Sequence, residues 1–517
     1  MNEAILAYNV IGKHDYINRL ILIVSGFELL KFNHIIFSLL FIVHYFTCGK
    51  VNPIIKSLLH LLRMKMNLGQ QLSFLIKNTP IIRDPQVINC AINGVTDYFA
   101  CSLQACHEDD VQKLLAWIAD EGGNARAWLI GQKKLVTARQ AALFNGFQAH
   151  CLDYDDVHSD VRGHPSSVIL SALIASVRLD NVKQKIDGRR FLTAYVIGVE
   201  VMARLGKSVN PEHYEKGWHA TITLGGIAAT AAICYLYDEL FLSQALALSA
   251  TQASGMRLLM GTPIKFLHAG LAAQHAIQSV EWLRAGIDAD QNFLDDKLGF
   301  LAIYGQGNTH FDLSHWGDVW KIVEPGLWFK NYSYCSAAAY VADAGQLLYK
   351  DPDFDLDNVS DITIYFVPSN SDAALIYKIP SLAQQGRFSA EYILALTLLG
   401  LPLSFEQFSS KPIPYEIKQL MQKMTRSYQI QLAPHPDAYN GRYVIIDIGL
   451  KNGKKISQRV DIPKGSPKNP YSQSEMSLKL LSAVKDKSKT ARLLTDIQQL
   501  ATGLDLRQFL LSYSFTL

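Results

Sequence analysis

Residues 150–167 read HCLDYDDVHSDVRGHPSS, and the carboxylates and imidazoles of His150, Asp153, Asp155, Asp156, His158, Asp160 and His164 fall here between two apolar runs. Upstream, 141–150 carries apolar residues at helical spacing. Downstream, 168–177 is an almost uninterrupted apolar run bounded by Pro165 and Arg178. Both flanks read as buried helices, so a charged connector emerges from a helical core. Ionised groups beside such a core are costly unless they are paired, hydrogen-bonded or set in a cleft, and their pKa values shift there. An acidic solvent loop with an N-cap Asp and a turn His is the plainer reading of the same residues. The rest of the chain separates the two.

A chain of 517 residues has room for two to three domains with sizeable cores. Its 49% apolar and 18% charged residues are those of a globular protein, and the formal charge of +3 hides no long basic block. The densest cluster, KNGKK at 451–455, has the composition of a hairpin tip, so nucleic acid is not expected as a partner. The seven cysteines are scattered through apolar segments without CxxC or Cys/His ligand spacing. They read as reduced core residues, from which a cytoplasmic location is expected.

Residues 1–66 differ in composition from the remainder of the chain. Their runs of Ile, Leu and Phe are broken by Glu28, Lys31 and His34, and the longest clean run is about half of the ~18–20 residues a membrane span needs. No basic segment or small-residue cleavage site makes them a signal peptide. They are either a membrane-associating extension or the product of a start placed too early, with Met64 or Met66 as the true one. The second is the expectation, because a capped helical pattern begins only at Asn67, and the extension is expected to be dispensable for activity.

From 67 to 325 the pattern is helical almost throughout, with helices expected at 68–78, 85–103, 109–121, 138–150, 166–177, 188–205, 219–237, 243–254 and 271–285. Several are Ala-rich on more than one face, which allows close backbone approach in a bundle. From 326 to 485 the character changes. Strands are expected at 361–367, 443–450 and 454–460, the last two joined by an Asn452-Gly453 turn, with helices at 337–349, 389–399 and 415–424. The expected fold is therefore mainly α: a large all-α domain, a smaller α+β domain, and a helical tail, 486–517, packing back on the first.

Four more segments put polar groups where a bundle would bury apolar ones. Gly217-Trp218-His219 opens an Ala-rich helix, where the dipole and free amides favour a bound carboxylate. Lys265 leads into an apolar helix with His268 one turn on. Lys330 and Cys335 sit in WFKNYSYCSAAAYVADA at the domain junction, where pockets concentrate. RFSAEY, 387–392, opens another apolar helix. Taken singly, His219 would be a capping histidine and Lys265 a snorkelling lysine.

Together with the HxLDYDD…HP stretch, a KxLHAGxAAQ segment and a late GSPKNPYS turn, these segments resemble the MmgE/PrpD family in the same order from about 67 to 485. Members include 2-methylcitrate dehydratase, cis-aconitate decarboxylase and iminodisuccinate epimerase. The resemblance implies a cleft between the two domains, a homodimer, a small polycarboxylate substrate, and no metal or other cofactor. Carried over from the decarboxylase members, the matching positions are Asp153, His164, His219, Lys265, Lys330 and Tyr392. His164 is then expected as the acid/base, oriented by Asp153. Lys265, Lys330 and His268 would bind substrate, and His219 and Tyr392 would position it or relay a proton. Taking a proton from the carbon next to a carboxylate needs a base of near-neutral pKa and cations to offset the growing charge, which suits this set.

Val157 and Cys335 stand where the decarboxylase members carry Thr and His, and both changes remove polar contacts. The expected activity is accordingly a lyase of the 2-methylcitrate dehydratase kind, with a decarboxylase or epimerase as the alternative. A non-catalytic carboxylate-binding protein is the third reading, against which the joint retention of histidines and lysines speaks. No HxxxH, HxxE or clustered-carboxylate ligand set lies on one helical face, and the DYDD carboxylates read as caps and His-orienting groups, so no metal is expected.

Overall fold

The computed structural model describes residues 66–181, 185–308, 310–368, 372–429 and 432–514. The expectations for residues 1–65 lie outside them. The first helices are α1 (Leu68–Lys77), α2 (Pro85–Ala105), α3 (Asp109–Glu121), α4 (Ala138–His150), α5 (Pro165–Ser176), α6 (Gly188–Val209), α7 (Ala220–Tyr237), α8 (Leu242–Ala250) and α9 (Pro263–Arg284). Their starts are chemical. Asn67 and Gln70 form a capping box for α1, Thr137 and Gln140 form one for α4, and Asp84 with Pro85 opens α2.

Helices α4 and α7 are buried on all sides, which fits their lack of a polar face. By length and composition α7 resembles a membrane span, yet 94% of it is buried inside the fold. The closest helix crossing sets up the site. A Cβ on Gly270 of α9 would lie 2.2 Å from Leu143 O of α4, and one on Gly146 would lie 2.8 Å from Ala269 O. Only glycine at both positions lets the two backbones meet, and the meeting brings the C-terminal end of α4 to the N-terminal end of α9. Helix α9 begins two turns earlier than the sequence pattern suggested, because Gly270 is a contact point inside it. Lys265 therefore belongs to its first turn and does not precede the helix.

A two-stranded ladder carries the chain from the first core to the second. Two strands, β1 (Ala127–Trp128) and β2 (Leu135–Val136), pair with each other, whereas β3 (Val157–His158) of the acidic connector pairs antiparallel with β4 (Leu327–Trp328), Val157 opposite Trp328. The second core packs α10 (Ala339–Tyr349), α11 (Ala390–Leu398) and α12 (Tyr415–Gln422) on four strands, β5 (Val359–Phe366), β6 (Met424–Ser427), β7 (Val444–Leu450) and β8 (Lys455–Val460). Their order is β6-β5-β7-β8, with β5–β6 parallel and the other pairs antiparallel. The short β6 was not among the strands expected from the sequence, which put only its first residue, Met424, at the end of the helix expected at 415–424.

The chain then returns to the first core through α13 (Gln473–Val484), α14 (Lys487–Gln499) and α15 (Leu506–Tyr513). Met476 and Leu480 of α13 already join that core, along with Leu493, Ile497, Leu506 and Phe509, so the return precedes the boundary expected at 485. The six described cysteines are all free.

Candidate active site

Helix α4 ends at His150, and the four consecutive carbonyls that follow it find partners beyond residue 326. Arg387 donates to Cys151 O, Ser333 to Leu152 O, Lys330 to Asp153 O and Lys479 to Tyr154 O. Three of these donors are cations at a helix C-terminus, the end the macrodipole makes negative. Lys479, buried on α13, also donates to Asp97 Oδ1 at 2.6 Å and to Lys330 O at 2.6 Å. This clamp turns the chain back sharply: Asp153 has φ +50°, a left-handed conformation that costs energy for a side chain other than glycine and recurs at functional sites.

The turn aims Asp153 and Asp155 in different ways. Asp153, fully buried, holds Lys265 Nζ at 2.8 Å on one carboxylate oxygen and Lys330 Nζ at 2.8 Å on the other. Burial opposes its charge, but the two ammonium groups outweigh it and hold the carboxyl well below the usual range. Asp155 accepts from His150 Nδ1 at 2.9 and 3.0 Å, which fixes that imidazole as the Nδ1–H tautomer, and lies 3.3 Å from His164 Nδ1. Asp156 accepts from Ser166 N at 3.2 Å at the start of α5, and burial pushes its carboxyl well above the ordinary value.

The imidazoles are neutral. Burial lowers His164 below its usual pKa against the pull of Asp155, with Lys265 and Lys330 adding to the decrease. His150 is lowered to about 3 by burial. His219 lies well below the normal range through burial and Lys265, and its Nδ1 is 2.9 Å from His268 Nδ1. A neutral imidazole whose Nδ1 faces a carboxylate has Nε2 free to take a proton.

The cavity, of about 100 Å³ and partly open to solvent, is walled by Asp153, His164, His219 and Lys265 at its inner end, with Val157 and Cys335 also on its surface. The structure thus gathers four of the residues singled out in the sequence, and it corrects the roles of the others. Asp153 is 3.7 Å from His164 Nε2 and is engaged by the lysines, so Asp155 is the closer orienting carboxylate. Lys330 stands behind Asp153 rather than on the cavity wall, and His268 stands behind His219. Tyr392 faces away: it is 1% exposed, its hydroxyl donates to Gln407 O at 2.6 Å, and its ring packs on Phe408. In the RFSAEY segment it is Arg387 that reaches the connector. Sequence reasoning counted Asp155 only among the DYDD carboxylates that cap or orient His, naming Asp153 for His164, and it missed Lys479 and the outer wall of Arg162, Tyr214, Tyr439 and Arg442. Only Asp155 carried a signal, its place within DYDD.

His150, Asp153, Asp155 and His164 bring one potential ligand atom each to within 4.8 Å of one another, a grouping that no single-helix spacing could reveal. The set does not fit a divalent ion. Asp153 is spanned by two ammonium groups and Asp155 is held by His150 Nδ1, so an added ion would face Lys265 and Lys330 at short range. Lysines supply the positive charge of this site.

The MmgE/PrpD N-terminal domain matches residues 70–312 and the MmgE/PrpD C-terminal domain matches 332–500. Cis-aconitate decarboxylase of Mus musculus is 25% identical over 347 residues, covering 65% of this chain and 70% of that protein. The cis-aconitate decarboxylase-like protein oryM of Aspergillus oryzae is 24% identical over 451 residues, covering 82% and 92%. Cis-aconitate decarboxylase of Aspergillus terreus is 25% identical over 406 residues, covering 73% and 80%. With both domain models matched in order over most of its length, the chain belongs to the MmgE/PrpD family.

Proposed function

We propose that this MmgE/PrpD lyase eliminates water from a small 2-hydroxy polycarboxylate of the 2-methylcitrate kind by acid/base chemistry without a metal. The observation that carries the reading is the position of His164 on the cavity wall, its Nδ1 3.3 Å from Asp155, with Lys265 on the same wall, and burial favours its neutral form. His164 Nε2 takes the proton from the carbon next to a carboxylate, and Lys265 offsets the charge that develops on that carboxylate. The electron pair left on carbon forms the double bond as the neighbouring C–O bond breaks. The departing oxygen takes the proton that His164 has just accepted and leaves as water, which returns His164 to its neutral form, while His219 on the same wall positions the hydroxyl.

Decarboxylation of cis-aconitate is the second reading, favoured by the names of the relatives. Against it, Val157 and Cys335 line the cavity and bring neither a hydroxyl nor an imidazole to the substrate. The test is to incubate the purified protein with 2-methylcitrate, cis-aconitate and iminodisuccinate and to detect products by mass spectrometry. Loss of 18 mass units from 2-methylcitrate is the expected result. Loss of CO2 from cis-aconitate alone would establish the second reading, and turnover of none would refute both.

A further inference from the structure

The outer wall of the cavity is unusual in its charge. Arg162 and Arg442 line it, and Arg257 stands just behind. Two tyrosine rings separate them. The Arg257 guanidinium lies 4.1 Å and the Arg162 guanidinium 5.5 Å from the centre of the Tyr214 ring, while Arg442 lies 5.3 Å from that of Tyr439. Both Arg442 and Arg162 lie close enough to the Tyr439 phenol to act on it electrostatically. Arg162 comes from the first core and Arg442 from the second, and Tyr439 ties them by donating to Ser159 O at 2.9 Å.

Among the described residues none of these guanidiniums makes an ion pair. The nearby Asp160 is drawn to Lys321 at 3.6 Å, and Arg257 Nη1 is buried without a hydrogen-bond partner. Arg162 is also held at φ +55°, where glycine or asparagine would be cheaper, by its amide donating to His158 O at 2.9 Å. Like charges gathered at a partly dehydrated wall repel unless an anion joins them. A fork of N–H donors stacked on an aromatic ring is the geometry that takes a carboxylate in bidentate fashion. The inner end differs: there Asp153 already compensates Lys265 and Lys330.

We propose that Arg162 and Arg442, braced by Tyr214 and Tyr439, form a second carboxylate subsite that holds the carboxylate farthest from the reacting carbon. This rests on the polycarboxylate reading of the site and adds the residues that enforce it. Only one residue separates Arg162 from His164, so a carboxylate on the outer wall fixes how far the reacting carbon reaches toward the base.

The test is calorimetric titration of the full chain with propane-1,2,3-tricarboxylate, which has no hydroxyl to lose, and with succinate, which lacks one of the two terminal carboxylates. Wild type should bind the tricarboxylate about tenfold more tightly or better. Arg162→Gln and Arg442→Gln should each weaken tricarboxylate binding about tenfold and bring the ratio of the two affinities toward one. Arg442→Lys, which keeps the charge but loses the fork, should lose part of the affinity and serves if Arg442→Gln does not fold. Unchanged tricarboxylate affinity in the variants, or an equal loss for both compounds, overturns the subsite. The outcomes are separable from those for the reaction. Arginine-dependent tricarboxylate binding without turnover of any panel compound leaves the subsite and refutes the lyase chemistry. Turnover of 2-methylcitrate with kcat/KM untouched by Arg442→Gln does the reverse.

Discussion

The two ends of the cavity handle charge in opposite ways. At the inner end each charge has a partner: Asp153 has Lys265 and Lys330, Asp155 has His150, and the four imidazoles are neutral. At the outer wall guanidiniums stand on tyrosine rings and, among the described residues, make no ion pair, the nearby Asp160 being drawn to Lys321. A compensated cluster is rigid and can hold a base in one protonation state, whereas an uncompensated one gains free energy only when an anion arrives. The inner end is accordingly suited to moving a proton and the outer wall to binding. The division can be broken by experiment.

The largest effect should come from the base. His164→Ala should lower kcat about 10² to 10⁴-fold while leaving KM close to wild type, because the outer wall and Lys265 still bind the substrate. A comparable rise in KM with kcat preserved would merge the two ends into one binding surface. Next comes stability. Lys330→Met leaves the fully buried Asp153 with Lys265 alone, and breaking a buried pair costs about 3–5 kcal/mol. Denaturant unfolding that moved by under 1 kcal/mol would show that Lys330 is not what compensates Asp153.

Acid should act on the inner end in a graded way. The unfolded chain protonates a histidine near pH 6.5, but folded His150 resists protonation down to about 3. Its stabilising contribution is therefore complete above pH 6.5 and is lost as the pH falls toward 3, at up to about 1.4 kcal/mol per unit. A midpoint of unfolding that does not change between pH 7 and 5 would contradict the buried neutral imidazole. The smallest effect belongs to the outer wall, where Arg162→Gln should change stability by no more than about 0.5 kcal/mol. A large loss there would mean that the arginines are structural.

Much of this was legible in the sequence because helices and strands are local. Helices 109–121 and 138–150 fall where the periodicity and caps put them, and the Asn452-Gly453 hairpin lies between β7 and β8 as its turn chemistry requires. His164, His219 and Lys265 reach the cavity because each interrupts an apolar pattern at an element boundary. What sequence could not supply was pairing across long separations. Nothing near Asp153 says that Lys330, 177 positions on, takes one of its oxygens and leaves Asp155 to face His164. Tyr392 and Arg387 share one motif, yet only the second points to the connector. Lys479 is one lysine among many in the tail until α13 packs on the first core.

The central claim is that a neutral His164, held by Asp155 beside Lys265, performs the proton transfer. The pH dependence of kcat/KM tests it most directly, because that ratio reports the ionisations of the free enzyme. With the His164 pKa lowered by burial and the two lysines, the basic form predominates at neutral pH, and activity should fall only as the pH drops below 6.5. An acid limb below 6.5 in wild type, absent from the residual activity of His164→Ala, is the predicted result. A limb above pH 7, or one that survives intact in His164→Ala, would contradict the assignment.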